Sequence, residues 1–352
     1  MARPRAARTR TYAQSGVDRS AVAKALRALL AGVSRPAPAS HGRPVDLPGH
    51  FAGLLRLGGT LLAATTDTVG TKVLLAEQMD RWEEVGEDLV AINVNDLAAV
   101  GARPAGLLDT IVCHRPDPRR FRAIGRGLGR GLAAARCSLL GGETAVVPDL
   151  VREIDLGATA IGFFPRGRAP VTGARLRPGD RIVGIPSSGV HANGYSLVRR
   201  VLAEAHVDPR RARPGARVPL GVELLRPTRT YSEAIDAIAD RPGLRGLCHL
   251  SGGGVRNLVR LRPDVRYQLD RWPTVPPLFD WIGTAGGIEP HEMFQTFNMG
   301  VGFAAVVDRR SVADVLSRLA RHGAPDAREI GRIAAGQGVT LPALGLEYTG
   351  YS

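Results

Sequence analysis

Three features of the amino-acid sequence predict an α/β protein built as two units of roughly equal size. Short apolar, strand-like runs alternate with helical stripes, glycine turns stand where runs give way to helices, and the stretch PRGRAPVTGARLRPGD at 165–180 has no apolar period and divides the pattern in two. The 352 residues suffice for two cores, and 44% hydrophobic content with 43 glycines and 25 prolines suits a loop-rich α/β chain.

Residues 1–50 carry a basic tail, a short helical pattern (AVAKALRALLAGV) and the Pro/Gly/Ser-rich SRPAPASHGRPVDLPGH, and are expected to be mostly loop-like. The first unit, 51–168, starts with a strand near 60–65 that runs into TTDTVGTK, 65–72. In GEDLVAINVNDLAAVGA, Leu89, Ile92, Leu97 and Val100 recur at helical spacing and place Asn95 and Asp96 in or beside a helix. LLDTIVC, 107–113, reads as a strand, and Phe121, Ile124, Leu128 and Leu132 mark one helical face. SLLGGETA ends a short strand in a glycine turn, and LGATAIGFF is a further strand. The second unit, 169–352, opens with strand RIVGI, loop PSSGVHANG and helix YSLVRRVLAEA, and CHLSGGG followed by VRNLVRL repeats that scheme. NMGVGFAAVVD reads as a strand, RSVADVLSRLARHG as an amphipathic helix and AREIGRIAAG as a closing strand.

No stretch approaches the roughly 20 apolar residues of a membrane span, and no apolar run follows the basic N-terminus, so a cytoplasmic protein is expected. Cys113, Cys137 and Cys248 lie far apart without CxxC spacing, which predicts reduced thiols, neither a disulfide framework nor a zinc site. The net charge of +14 invites an anionic partner, but 45 of the 47 basic residues are arginine, scattered along the chain without long basic runs. That bias reads as a codon-level preference, and nucleic acid is not the expected partner. Against it Lys72 stands out, because a compact ammonium suits a phosphate loop better than a planar guanidinium.

Three segments carry acidic residues next to regular elements. Asp67 is a hard oxygen ligand suited to Mg²⁺, Gly70 permits close backbone approach, and Thr71 and Lys72 follow, although the octet lacks the GxxxxGK[ST] pattern and reads equally well as a polar turn. Asp96 lies between Val94 and Leu97, where a carboxylate needs a pairing partner or a metal. Glu143 follows Gly141 and Gly142 and precedes Thr144. Asp67, Asp96 and Glu143 with one lysine would suit a Mg²⁺-bridged triphosphate. In the second unit, His191 and Asn193 sit in a loop of small residues, and Gly252, Gly253 and Gly254 open a helical segment whose free N–H groups could receive an anion. His291, Glu292, Gln295 and Asn298 form either a site or a satisfied core network.

Taken in order, TYAQSGVD, TTDTVGTK, NVNDLAAVGARP, LLGGETA, SSGVHANGYSLVRR, LLRPTRTY, HLSGGG and HEMFQTFNMGVG resemble the phosphoribosylformylglycinamidine cyclo-ligases, the aminoimidazole ribonucleotide synthetases of purine biosynthesis. The resemblance implies an α/β (α+β, mixed-sheet) subunit of two domains, the N-terminal one forming a homodimer and the ATP site. It implies an enzyme in which Mg²⁺-ATP phosphorylates the formyl oxygen of formylglycinamidine ribonucleotide before an amidine nitrogen closes the ring. Carried onto this chain, Asp67, Asp96 and Glu143 become Mg²⁺ and ATP ligands, with Gly70, Thr71, Asn95, Gly141, Gly142 and Thr144 beside the nucleotide. Lys72 becomes the phosphate-facing cation, His191 and Asn193 face the reacting ribonucleotide, and His249 with Gly252, Gly253 and Gly254 shapes its pocket. The chain departs from the family where Thr68 replaces a glycine and where Val146, Val147 and Pro148 replace an acidic residue, Met and Pro. The alternatives are a selenophosphate synthetase, thiamine-monophosphate kinase or hydrogenase maturation type of enzyme, or a non-catalytic nucleotide or nucleic-acid binder. The first would want a reactive Cys in an early glycine-rich loop, and the first Cys here is Cys113.

Overall fold

The computed structural model describes residue 11 and residues 19–33, 41–47 and 49–351; the basic tail at 1–10 and the stretch 34–40 lie outside them. Helix α1 (Arg19–Ala31) precedes a six-stranded sheet of β1 (Arg43–Val45), β2 (Gly53–Leu57), β3 (Thr60–Thr68), β4 (Arg103–Cys113), β5 (Ser138–Val146) and β6 (Ile154–Phe163). The order is β1-β2-β3-β6-β4-β5, antiparallel except for β4 and β5. A parallel pair needs a crossover, which α4 (Pro118–Ala135) supplies. Residues 43–45 thus join the first sheet, inside the stretch expected to be loop-like.

Alternation along the strands gives this sheet one dry face. Leu61, Ala63, Leu107, Ile111, Leu156, Ala158 and Ala160 are buried beneath α3 (Glu83–Ala98) and its neighbour α4, while Leu55, Leu57 and Leu108 stay exposed on the strands. β5 is an edge strand that leaves Leu139, Leu140 and Val146 open to solvent. Helix α2 (Lys72–Met79) joins β3 to α3.

No helix or strand lies between Phe163 and Arg181. Beyond that gap, β7 (Arg181–Pro186), β8 (Leu244–His249), β9 (Arg266–Gln268), β10 (Val301–Val307), β11 (Arg328–Ala334), β12 (Gly338–Leu341) and β13 (Leu346–Tyr348) form a second sheet in the order β13-β12-β9-β11-β7-β10-β8. All seven residues of β10 are buried, which explains its continuous apolar run. α5 (Tyr195–Glu204), α6 (Leu220–Leu224), α7 (Ser232–Ala239), α8 (Pro277–Gly286), α9 (Pro290–Thr296) and α10 (Val312–Arg321) complete the unit. Two strands follow AREIGRIAAG, so β11 does not close the chain, and VRNLVRL forms part of a 3₁₀ helix, Gly254–Arg260. One continuous apolar core links the two sheets. Among the described residues no helix is long and apolar enough to cross a membrane, and all three cysteines are free and buried.

Candidate functional site

β3 leaves its sheet at Asp67 and Thr68, and the chain turns at Gly70, whose φ of +65° suits glycine. Thr68 is the last β3 residue, pairs with Gly157 and is not among the residues at positive φ. A side chain at position 68 is therefore compatible with the backbone there, and the family's glycine is not required by φ.

Asp67 Oδ1 accepts from the Thr68 N–H at 2.8 Å. Its surface opens to solvent, yet enclosure by protein and then the Asp96 charge push its carboxyl up to about 6, against the Thr68 bond and the His249 charge. Asp96 lies near the C-terminus of α3 and is only partly buried; its Oδ1 meets His249 Nδ1 at 2.8 Å at the end of β8. With Nδ1–H donating to Asp96, His249 Nε2 keeps an unshared pair, and it is buried with no protein partner. The fully buried carboxylate of α3 is Asp88, eight residues earlier, at 0% exposure.

Asn193 lies half-buried above Gly252, where an added Cβ would stand 2.5 Å from Asn193 Oδ1. Gly254 is required by packing: at φ +54° its Cβ would meet Phe294 O at 2.0 Å. The triple glycine thus lets the 3₁₀ segment fit beneath α9 and beside Asn193. His191 has φ +67° and is 2% exposed, with Nε2 accepting from the Ser188 N–H at 3.3 Å and Nδ1 lacking a partner. Burial, then the His249, Lys72 and Arg229 charges, hold this imidazole well below its usual range.

The structure brings Asp67, Asp96 and His249 together where β3, α3 and β8 meet, and sets Asn193 against Gly252 just beyond β8, but other expected residues lie elsewhere. Asn95 is buried, its Nδ2 donating to Arg229 O at 2.9 Å and its Oδ1 accepting from the Tyr231 N–H at 2.8 Å. Thr71 Oγ1 lies 3.2 Å from Ser196 Oγ in α5. Lys72 is fully buried with its Nζ 2.6 Å from Asp88 Oδ2. Gly141, Gly142, Glu143 and Thr144 lie exposed on β5, and Glu143 is three strands from Thr68 through Thr110 and Gly157, about 14 Å at ordinary strand spacing. Among the described residues no three His, Cys, Asp or Glu side chains converge to hold a metal, so Asp67, Asp96 and Glu143 do not meet within one chain.

The polar group at 290–302 resolves into a network. Ser187 Oγ and the Gly300 N–H both donate to Asn298 Oδ1 at 2.9 Å, Asn298 Nδ2 donates to Gly189 O at 2.8 Å, and Thr296 Oγ1 donates to Glu292 Oε1 at 3.1 Å. His291 stacks on Tyr348 at 4.4 Å. The sequence reading missed Asp88 and Thr228; Asp88 lies among apolar residues of the same helix, and that was the available signal.

Two mixed sheets, the first with one face buried under helices and the second buried through its central strands, define an AIR synthase-like fold. Residues 49–164 match the AIR synthase related protein N-terminal domain and residues 177–343 its C-terminal domain. The chain belongs to the AIR synthase related family. It is 44% identical over 317 residues to the phosphoribosylformylglycinamidine cyclo-ligase of Methanothermobacter thermautotrophicus, covering 90% of this chain and 93% of that protein. The proteins of that name from Thermococcus kodakarensis and Geobacillus kaustophilus are each 38% identical, covering 96% and 94% of this chain and 99% and 98% of theirs. Among solved structures, the thiamine-monophosphate kinase of Stenotrophomonas maltophilia matches with a TM-score of 0.62 at 23% identity, over 93% of this chain and 97% of that one. HypE of E. coli, a hydrogenase maturation protein, matches with a TM-score of 0.60 at 20% identity, over 82% and 84%. These structural likenesses show the shared fold.

Proposed function

We propose that this chain closes formylglycinamidine ribonucleotide to 5-aminoimidazole ribonucleotide in de novo purine biosynthesis, consuming ATP and releasing ADP and phosphate. The observation that carries this reading is the near full-length identity to cyclo-ligases from archaea and from a Geobacillus. The γ-phosphoryl group of ATP passes to the formyl oxygen, an amidine nitrogen attacks the same carbon, and the carbon–oxygen bond to phosphate breaks as a proton leaves the nitrogen. Such chemistry needs positioning and charge neutralisation more than a protein nucleophile.

The site supplies groups for each part. Enclosure and then the Asp96 charge raise the Asp67 carboxyl, and these two neighbouring carboxylates are hard oxygen donors of the kind that fits a Mg²⁺ ion. Bound there, the ion supplies neutralisation of the phosphate charge. His249, buried against Tyr231 and Phe303 and joined through Nδ1 to Asp96, orients that carboxylate beside Asp67. Asn193 presents an amide over Gly252 to orient the ribonucleotide. His191, kept neutral by burial, shapes the loop that carries Asn193. We place the enzyme in the cytoplasm as a homodimer joined through the exposed edge at β5, which brings Glu143, Gly141, Gly142 and Thr144 to the interface and the nucleotide.

The test is incubation of the purified chain with Mg²⁺, ATP and formylglycinamidine ribonucleotide, followed by assay of ADP and of the aminoimidazole product. Equal amounts of both are expected. ADP release with thiamine monophosphate, and no imidazole product, would move the chain to the kinase branch of the fold.

A further inference from the structure

Lys72 and Asp88 form a buried ion pair, both side chains 0% exposed, at the junction of the two sheets. Lys72 Nζ has three acceptors: Asp88 Oδ2 at 2.6 Å, His191 O at 2.8 Å and Arg226 O at 3.1 Å. Two donated hydrogen bonds and the carboxylate contact enclose Nζ, which is 0% exposed and so has no path to a phosphate. Asp88 Oδ1 in turn accepts from the Thr228 N–H at 2.8 Å and the Thr228 hydroxyl at 2.5 Å. The first unit, through α2 and α3, thereby grips the second at two places, the 187–194 loop and the 226–228 segment. One gripped carbonyl belongs to His191, a non-glycine residue at φ +67°, a conformation that persists only where its surroundings hold it. Two residues further on is Asn193.

We infer that Lys72 is a positioning residue: paired with Asp88, it sets the 187–194 loop, with His191 and Asn193, against the Asp67–Asp96 pair. This rests on the proposed function for the site, and it gives Lys72 a role other than contact with phosphate. It also accounts for one of only two lysines in a chain with 45 arginines, since the enclosed space accepts one compact ammonium with three donors, and a five-donor guanidinium overfills it.

The experiment compares Lys72→Met, Lys72→Arg, Asp88→Asn and the double variant Lys72→Met/Asp88→Leu in the full chain. Turnover is measured with the proposed substrates, and affinity for a non-hydrolysable Mg²⁺-ATP analogue is measured by calorimetry. Each single variant is expected to lose about 10²-fold in kcat, the scale of a 1 Å misplacement, with analogue affinity within about threefold of wild type. The double variant removes both buried charges together and is expected to recover about tenfold over Asp88→Asn. Analogue affinity at least about tenfold weaker in Lys72→Met but intact in Asp88→Asn, with no recovery in the double, would overturn the inference in favour of a phosphate contact. Thr228→Val keeps the backbone bond to Asp88 and serves if the others do not fold; its readout is amide hydrogen exchange of the 187–194 peptide. Faster exchange in that peptide is expected, and unchanged exchange overturns the inference. Because exchange needs no turnover, this arm stands even if wild type makes no imidazole product, an outcome that would refute the proposed function alone.

Discussion

Replacing Asn95 with alanine separates a structural role from a nucleotide contact. Its amide donates to Arg229 O at 2.9 Å and accepts from the Tyr231 N–H at 2.8 Å, so one side chain of α3 satisfies two backbone groups of the segment entering α7. Truncation removes both bonds and leaves that carbonyl and that N–H without their partners, at about 1–3 kcal/mol each, or roughly 2–6 kcal/mol in all. Against a total stability of order 5–15 kcal/mol this is a large fraction. With a urea dependence of about 3 kcal/mol/M, the denaturation midpoint falls by about 1 M, readable through Trp82, Trp272 and Trp281 fluorescence. Asn95→Asp is also destabilising, because a carboxylate keeps the acceptor for Tyr231 but faces the Arg229 carbonyl without a donor. Nucleotide affinity, measured below the onset of unfolding, stays at the wild-type value in both. A variant with an unchanged midpoint and weakened nucleotide binding would refute this reasoning and return Asn95 to the nucleotide site.

Thr68→Gly restores the residue common in the family, yet Thr68 is an extended strand residue, so the change costs about 0.5–1 kcal/mol of stability in thermal melts and leaves turnover within twofold. His50 is pushed down to about 4 by burial and then by Arg260, and both its ring nitrogens lack partners. A folded value below the unfolded 6.5 means that protonation favours unfolding, so stability present above pH 6.5 is lost as pH falls toward 4. Urea midpoints of His50→Phe should decline less over that window, and parallel curves would remove His50 as the cause. Leu140→Glu places a charge on the exposed β5 edge and is expected to halve the mass seen by light scattering while the far-ultraviolet spectrum is unchanged.

The elements legible in the sequence were those with a strong period. The α4 stripe of Phe121, Ile124, Leu128 and Leu132 and the apolar runs of β7 and β10 lie where their patterns put them. Short strands such as β1 and β9, three residues each, carry too few alternations to stand out, and α6 and α9 are too short for a helical period. Lys72 read as the end of a loop but begins α2, since the turn is completed at Gly70 and Thr71.

At the site, sequence gave the residue types and tertiary contacts decided their partners. Asp88 and Asp96 occupy one helix among apolar neighbours, and nothing local distinguishes a carboxylate that pairs with a buried ammonium from one that meets a histidine. The histidine contact joins residues 153 positions apart, and the ammonium that Asp88 meets also bonds His191 O, 119 positions from Lys72. A cleft between two units requires polar groups that join the units as well as polar groups that meet ligand, and both must be satisfied by hydrogen bonds where water is excluded. Both kinds therefore appear in a sequence as polar residues in apolar segments. What separates them is how many of their bonding positions the protein itself fills. Asn95 and Lys72 have theirs filled, whereas His249 Nε2 and the Asp67–Asp96 pair retain capacity for something bound. By that criterion Asn95 and Lys72 belong to the joint between the two units, and Asp67, Asp96 and His249 are the groups we propose to meet ligand.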